Sequence, residues 1–125
     1  RGQFAGTTAY VTSKFYSGAA PSDIRLKKNI KDSIINALET IDRMQVRQFD
    51  WRANNAHQNI GFVADEIEKL DPNLTLGGGC DENGEMDIKQ INSPYLLNYA
   101  IKAIQELYSI VKEQEKTIKE LKKAS

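Results

Sequence analysis

The segment after Pro21 combines a hydroxyl nucleophile with amine side chains, since Ser22–Ile30 reads SDIRLKKNI. A serine hydroxyl is a weak nucleophile near neutral pH and needs a base before it can attack a carbonyl carbon. A lysine can be that base only where burial or a neighbouring cation keeps its amine neutral, because free lysine titrates near ~10.4. Ser22 with Lys27 or Lys28 would suit acyl transfer. Serine and lysine lie this close in many chains, so the context must decide.

The strongest element that could position these groups is a long helix near the end of the chain. Ser93 is expected to cap it and Pro94 to occupy its first helical position. A heptad repeat follows, with seven apolar residues in eight core positions, which is typical of a coiled coil. These positions are Leu97, Ala100, Ile104, Leu107, Val111, Gln114, Ile118 and Leu121.

The same helix is expected to pack on its own domain early and on partner helices later. Residues 112–123 are too polar to cover a globular core over their length, so self-association is the favoured interpretation. β-Branched residues at the first core position favour a dimer, whereas Gln114 weakens that preference. The heptads alone leave the oligomer number open.

The residues between these features predict a small α+β domain with short strands. Apolar residues recur at helical spacing over residues 29–44, which predicts one amphipathic helix with Asn29 as its N-cap. Residues 46–51 alternate like a strand that carries Phe49 and Trp51 on one face. A turn at Asn54 and Asn55 leads to a short buried strand over residues 60–63.

A second short helix is predicted over residues 64–70, ended by Asp71 and Pro72. Residues 73–92 are expected to form a hairpin arm with little capacity to form a core. Its strands are predicted at residues 74–76 and 86–88, around the glycine-rich stretch Gly77–Gly84. Cys80 is the single cysteine, which excludes an internal disulfide, and we expect neither a metal nor a cofactor.

Length and charge narrow the possible functions. A chain of 125 residues suits about one domain. Its formal net charge of zero argues against a general binder of nucleic acid or of membrane surfaces. The chain begins at Arg1 rather than Met, so we expect it to be part of a longer protein.

Four motifs in order carry a resemblance to a known family. They are Ser22–Ile30, Phe49–Trp51, Ile60–Ile67 with Pro72, and a closing pattern from Tyr95 to Leu107. Together they resemble the intramolecular chaperone auto-processing domain of phage tail spikes, tail fibres and neck appendages. The resemblance covers essentially residues 22–121.

The resemblance implies a function and a fold for the assembled protein. Members end a homotrimeric β-helical fibre, hold three chains in register while it folds, and then cut themselves off just before the motif serine. Here that bond joins Pro21 to Ser22, and the family's serine and lysine pair corresponds to Ser22 and Lys27. The long helix would then form a parallel trimeric coiled coil. The enzyme would be a serine endopeptidase acting once, in cis or within the trimer.

The resemblance also implies domains, partners and a location. Residues 1–21 would end the preceding β-rich fibre, residues 22–92 would form the chaperone domain with its arm at about 73–92, and residues 93–125 would form the coiled coil. The partners would be two further copies and the upstream fibre, which is both folding client and substrate. We expect action in the host cytoplasm during virion assembly, followed by release from the mature fibre.

Residues outside the Ser22 and Lys27 pair are possible auxiliaries of the reaction, namely Asp23, Arg25 and His57. Asp23 is expected to cap the following turn rather than pair with Lys27, and Arg25 and Lys28 are possible cationic neighbours of Lys27. His57 could help as an acid or base, although a solvated histidine in a polar turn is the plainer interpretation. An alternative function is a trimerisation module that never cuts, and a plain coiled-coil adaptor is a poorer third option because it leaves the motifs unexplained.

Overall fold

The computed structural model describes residues 21–80, 82–85 and 87–125. The chain divides into two units, the first ending at Ile35 and the second running from Asn36 to Ser125. Residues 1–20, which the resemblance assigns to the preceding fibre, lie outside the described residues, so the predicted domain boundaries stay a prediction. Within the described part of the first unit, one 3-10 turn spans Ile24–Leu26.

The second unit is mixed, which confirms the predicted α+β class. Its helices and strands are α1 (Ala37–Asp42), β1 (Arg47–Asp50), β2 (His57–Gly61), α2 (Ala64–Glu68), a 3-10 turn (Pro72–Leu74), β3 (Thr75–Leu76), β4 (Gln90–Ile91) and α3 (Ser93–Ala124). Two small antiparallel sheets, β1–β2 and β3–β4, accompany the long helix α3. In the part of the chain that the structure describes, no helix combines the length and apolarity needed to cross a membrane.

The core of the second unit is small and forms under the first half of α3. Its buried apolar residues are Ala37, Ile67, Leu74, Tyr99 and Ala103. Two polar residues are also buried, and both are hydrogen-bonded as buried polar groups require. The Thr75 hydroxyl donates to the Pro72 carbonyl at 3.1 Å, and Asn92 Nδ2 donates to the Asn73 carbonyl at 3.1 Å.

Residues 73–92 therefore contribute to the core, contrary to the prediction. Leu74 is fully buried and Thr75 nearly so. The reason is that the 3-10 turn Pro72–Leu74 directs the chain back under α3, where the Asn92 amide donates to the Leu74 carbonyl at 2.8 Å. The segment is rich in glycine and acidic residues, so its composition does not indicate that Leu74 and Thr75 pack in the core.

Tyr99 joins α3 to the same turn. Its hydroxyl donates to Asp71 Oδ2 at 2.5 Å. Burial, and then the bond to Asp71, raise the pKa of the Tyr99 hydroxyl above its ordinary value. The phenol therefore keeps its proton and remains a donor at physiological pH.

Helix α1 is much shorter than the predicted helix over residues 29–44. It begins at Ala37, and its N-cap is Asn36 rather than Asn29, which has a φ of 55° in the left-handed region. Ser33 Oγ accepts from the Ile35 amide, a local bond that competes with a helical turn. The Ile34 side chain is 99% exposed, so its packing does not stabilise a helix that starts before Ala37.

A carboxylate from α3 satisfies the start of α1. Glu106 Oε2 accepts from the Ala37 amide at 3.0 Å, and Oε1 accepts from the Leu38 amide at 3.2 Å. The first amides of a helix lack partners within the helix, so this contact adds to the Asn36 cap, whose Oδ1 accepts from the Glu39 amide. Lys102 Nζ donates to the same carboxylate at 2.7 Å. This ammonium, followed by the two backbone amides, holds the pKa of Glu106 below its usual value.

Helix α3 is present as predicted, but its N-cap lies one residue earlier in the chain than expected. Asn92, not Ser93, is the N-cap, and its Oδ1 accepts from the Tyr95 amide at 3.2 Å. Pro94 is therefore the second helical residue rather than the predicted first, although it still lies in the first turn. The helix packs on its own domain through Tyr99 and Ala103, which confirms that its first half serves the domain.

The predicted heptad positions lie on another face of α3. Leu107 is 48% exposed and Leu121 is 65% exposed, and the other large apolar members are exposed to similar degrees. Ala100 is half-buried and Gln114 is exposed. The stripe is therefore unoccupied in a single chain, and the trimeric coiled coil stays a prediction.

Strands β1 and β2 form an antiparallel hairpin with a bulge between Arg47 and Phe49. Phe49 and Trp51 lie on one face, as predicted, with ring centroids 5.2 Å apart in an edge-to-face arrangement. The buried strand predicted at residues 60–63 is wrong: β2 spans His57–Gly61 and Ile60 is 70% exposed. A short apolar run cannot by itself identify a covered strand.

Strands β3 and β4 form the predicted hairpin with a different second strand. Leu76 pairs with Gln90, and the pairing continues through Gly78, whose amide donates to the Asp87 carbonyl at 2.8 Å. The second strand is thus Gln90–Ile91 rather than residues 86–88; Met86 lies outside the described residues. Lys89 anchors the hairpin to α2 by donating to Asp65 at 2.9 Å and to Glu68 at 3.0 Å.

Two glycines of this hairpin make a matched test of its geometry. Gly77 has a φ of 77°, and a Cβ built there would lie 2.4 Å from the Ile88 carbonyl oxygen. Gly79 has open space at the same position. Gly77→Ala should therefore destabilise the hairpin by about 1 kcal/mol or more, while Gly79→Ala should be neutral or slightly stabilising. Amide hydrogen exchange of Asp87 measures the difference, and equal protection in both variants would contradict it.

The Glu106 contact predicts an acid-dependent loss of stability. Because the pKa of Glu106 is lowered in the folded state, its contribution is present above the unfolded value near ~4.3 and is lost as the pH falls through the lower folded value. Glu106→Gln should lower the melting temperature by several degrees at pH 7, and the wild-type and variant values should converge as the pH falls through the lowered folded pKa of Glu106. Glu120→Gln, on the exposed end of α3, is the control. A constant difference at all pH values would contradict the assignment.

Candidate functional site

The structure brings Ser22 and Lys27 together. Lys27 Nζ lies 2.6 Å from Ser22 Oγ and donates a hydrogen bond to it. This is the distance at which a neutral amine could instead accept the hydroxyl proton. The sequence left the choice between Lys27 and Lys28 open until the resemblance was considered, and the side chain that the structure places beside the hydroxyl is that of Lys27.

A single turn of chain produces this contact. The Leu26 amide donates to the Asp23 carbonyl at 3.0 Å, and the Lys27 amide donates to the Ile24 carbonyl at 3.1 Å. These bonds form the 3-10 turn Ile24–Leu26, after which Lys27 returns to extended backbone. The turn shortens the path between positions 22 and 27, so the long lysine side chain reaches back to the serine.

Asp23 caps this turn, which confirms the prediction made for it. Its Oδ1 accepts from the Arg25 amide at 2.8 Å and from Arg25 Nε at 3.1 Å, while Oδ2 accepts from Arg25 Nη2 at 2.7 Å. The Arg25 guanidinium and then its amide lower the pKa of Asp23. Arg25 was predicted only as a cation near Lys27, and its pairing with Asp23 was missed. The spacing of two residues around a cap position was the available signal.

The pair is open to solvent in the single chain. Ser22 and Lys27 are exposed, and Pro21 is half-buried. Ile24 and Leu26, which flank the contact, are exposed as well. In the single chain, the described residues therefore do not bury the Lys27 amine, as the prediction for a neutral lysine would require.

His57 lies in the second unit. It opens β2 as the cross-strand partner of Asp50, with Nδ1 2.6 Å from Asp50 Oδ1 and Nε2 3.1 Å from Gln48 Oε1. The predicted histidine is solvated, since 47% of its side chain is exposed, but its placement in the polar turn is wrong, because the strand begins at His57. A hairpin closed at Asn54 and Asn55 puts residues 50 and 57 opposite each other, and this signal was present in the sequence.

Comparison with known families gives a match over part of the chain. The model of the family Peptidase_S74, described as chaperone of endosialidase, matches residues 22–76. The matched segment starts at Ser22 and contains the Ser22–Lys27 contact, the β1–β2 hairpin and α2. No curated protein matches the chain. Residues 22–76 thus match the chaperone-of-endosialidase family, and this match supports an intramolecular chaperone domain of the kind found in phage tail proteins.

Proposed function

We propose that this chain assembles a phage tail spike, fibre or neck appendage as a trimer and then releases itself by cutting the bond between Pro21 and Ser22. The observation that carries the proposal is the 2.6 Å contact between Lys27 Nζ and Ser22 Oγ. It lies at the first residue of the family match, directly after the bond to be cut. The family's name describes a peptidase and a chaperone, and we propose that the chaperone activity comes first and the cut second.

The reaction follows from the two side chains. Ser22 Oγ attacks the carbonyl carbon of Pro21, a carbon–oxygen bond forms, and the bond from that carbon to the Ser22 nitrogen breaks. Lys27 Nζ takes the hydroxyl proton and passes it to the departing Ser22 nitrogen. Water then hydrolyses the ester, which leaves a carboxylate on Pro21, a free amine on Ser22 and the original hydroxyl.

Assembly is proposed to supply the environment that one chain lacks. A lysine acts as a base only in its neutral form, which removal from water favours. Lys27 is exposed in the single chain, and the exposed Ile24 and Leu26 beside it offer apolar surface for another chain to cover. Cutting would then wait until the trimer has formed, which couples release to correct assembly.

The apolar stripe of α3 supports self-association of the chain. The exposed members Leu107, Val111, Ile118 and Leu121 continue it beyond the part of the helix that packs on its own domain. A contiguous apolar surface of this kind marks an interaction site. The proposed partners are two further copies of this chain and the upstream fibre. The proposed location is the host cytoplasm during virion assembly, with release from the mature fibre after the cut.

A trimerisation module that never cuts is the second candidate function. The exposure of Lys27 favours it, because in the single chain nothing removes this amine from water. The two functions share the trimer and differ only at Ser22.

Replacing the two reactive groups separates these functions. Ser22→Ala should abolish the cut, and Lys27→Met should slow it by a factor of about 10² to 10⁴, the usual contribution of a general base. Lys28→Met is the matched control, since it removes a neighbouring amine and should leave the cut intact. Denaturing gels and intact mass of the full chain report a product that begins at Ser22. Cutting that persists in Ser22→Ala would refute the mechanism, and an uncut wild-type trimer would support the module.

Weakening the stripe of α3 tests the coupling of the cut to assembly. Leu107→Ala with Val111→Ala should remove about 2 kcal/mol or more per chain from a packed coiled coil and dissociate the trimer. Cleavage should be lost with it. Gln105→Ala with Lys116→Ala changes the same helix outside the stripe and should alter neither property. Sedimentation equilibrium gives the oligomer, and a double variant that is monomeric yet cuts at the wild-type rate would end the coupling hypothesis.

A further inference from the structure

We infer that the ion pair between Asp23 and Arg25 positions the Ser22–Lys27 pair for the cut, an inference that rests on the proposed function. Arg25 binds both carboxylate oxygens of Asp23, at 3.1 Å through Nε and 2.7 Å through Nη2. Neither side chain contacts the reacting atoms, so each is a positioning residue. They have two effects, one on the geometry of the turn and one on the charge beside Lys27.

The geometric effect follows from the place of Asp23. It is both the residue next to Ser22 and the cap of the turn that brings Lys27 back. Its Oδ1 accepts from the Arg25 backbone amide, and the Arg25 side chain donates to the same carboxylate. A paired contact of guanidinium with carboxylate fixes orientation as well as distance. The start of the turn is thereby held in the conformation that has the 2.6 Å contact.

The charge effect concerns the acid that stands closest to Ser22 in the chain. A carboxylate that paired with Lys27 would favour its ammonium form and prevent it from acting as a base. Arg25 occupies both oxygens of Asp23 and so withholds them from Lys27. The other charged residues in the described part of this unit are Lys28, Lys31 and Asp32.

The ion pair between Asp23 and Arg25 is not explained by a contribution to folding stability. The Arg25 side chain is 84% exposed, and exposed ion pairs contribute little to folding. The Asp23–Arg25 contact also joins residues only two apart, so it ties no distant elements together. Its position beside the reacting pair is the feature that needs an explanation.

The test measures the rate of cutting against pH in the full chain for four variants. In Arg25→Gln the freed carboxylate can pair with Lys27, so the profile should move to higher pH by about one unit, which is a tenfold slower cut at a fixed pH below its midpoint. Asp23→Asn with Arg25→Gln removes that carboxylate and should return the profile to the wild-type position, with a lower maximum. Arg25→Lys keeps the charge without the paired grip, so its profile should stay in place. Lys28→Gln controls for the loss of one nearby positive charge.

A residue with only a structural role would change the rate without moving the profile. The inference is overturned if Arg25→Gln leaves the profile in place, if the double variant stays displaced, or if Lys28→Gln moves it equally far. The double variant is decisive, because a structural defect would be at least as severe when both partners are lost.

A second readout is independent of the cut and separates failure of this inference from failure of the proposed function. In a Ser22→Ala background, the acetylation rates of Lys27 and Lys28 are compared by peptide mass spectrometry at fixed pH. Only a neutral amine is acetylated, so Arg25→Gln should lower the Lys27 rate several-fold relative to Lys28, and adding Asp23→Asn should restore it. An unchanged ratio would refute the charge effect even where the wild type cuts. A restored ratio in a chain that never cuts would keep the charge effect and reject the protease.

Discussion

The structure of the second unit depends on which face of helix α3 packs against the domain, since the helix also has an apolar face that is exposed in the single chain. Tyr99, Ala103 and Glu106 follow one another at spacings of four and three residues, so they share the face that covers the domain. Tyr99 and Ala103 are buried there, and Glu106 caps α1. The heptad positions lie on a different face. The domain is therefore attached to α3 at a fixed rotation about the helix axis, which determines how three domains would surround a coiled coil.

Directional contacts define this arrangement because the apolar core is so small. Ile67 and Leu74 are the largest side chains buried fully in the described part of the chain. The contacts of Glu106 with α1, Tyr99 with Asp71, and Asn92 with the turn before β3 each join residues far apart in sequence. Polar contacts of this kind contribute modest net stability but penalise any other packing, since a buried group that loses its partner is costly. The fold is thus specified more by matched hydrogen bonds than by apolar area.

The sequence predicted those parts of the structure that local patterns determine. The heptads and Pro94 identified α3, the alternation of Phe49 and Trp51 identified a strand, and the ordered motifs identified the family and paired Ser22 with Lys27. The failures have a common cause in contacts between distant residues. Helix α1 is capped by a carboxylate 69 residues away, which no local pattern near Ala37 can indicate. Leu74 is buried by its position under α3, and Ile60 is exposed although its neighbours suggest a covered strand.

The contact between Ser22 and Lys27 has a consequence for reversal of the proposed reaction. The substrate is the backbone of the chain itself, so the nucleophile cannot be reloaded with a second peptide. After the cut, Ser22 carries an α-amino group, which titrates near ~7.7–8.0 and is partly protonated at neutral pH. The new terminus would then place an ammonium group on the residue whose hydroxyl lies 2.6 Å from the Lys27 amine. An ammonium nitrogen is no nucleophile, so in the proposed reaction the cut would itself convert the group that resynthesis of the bond requires into an unreactive form.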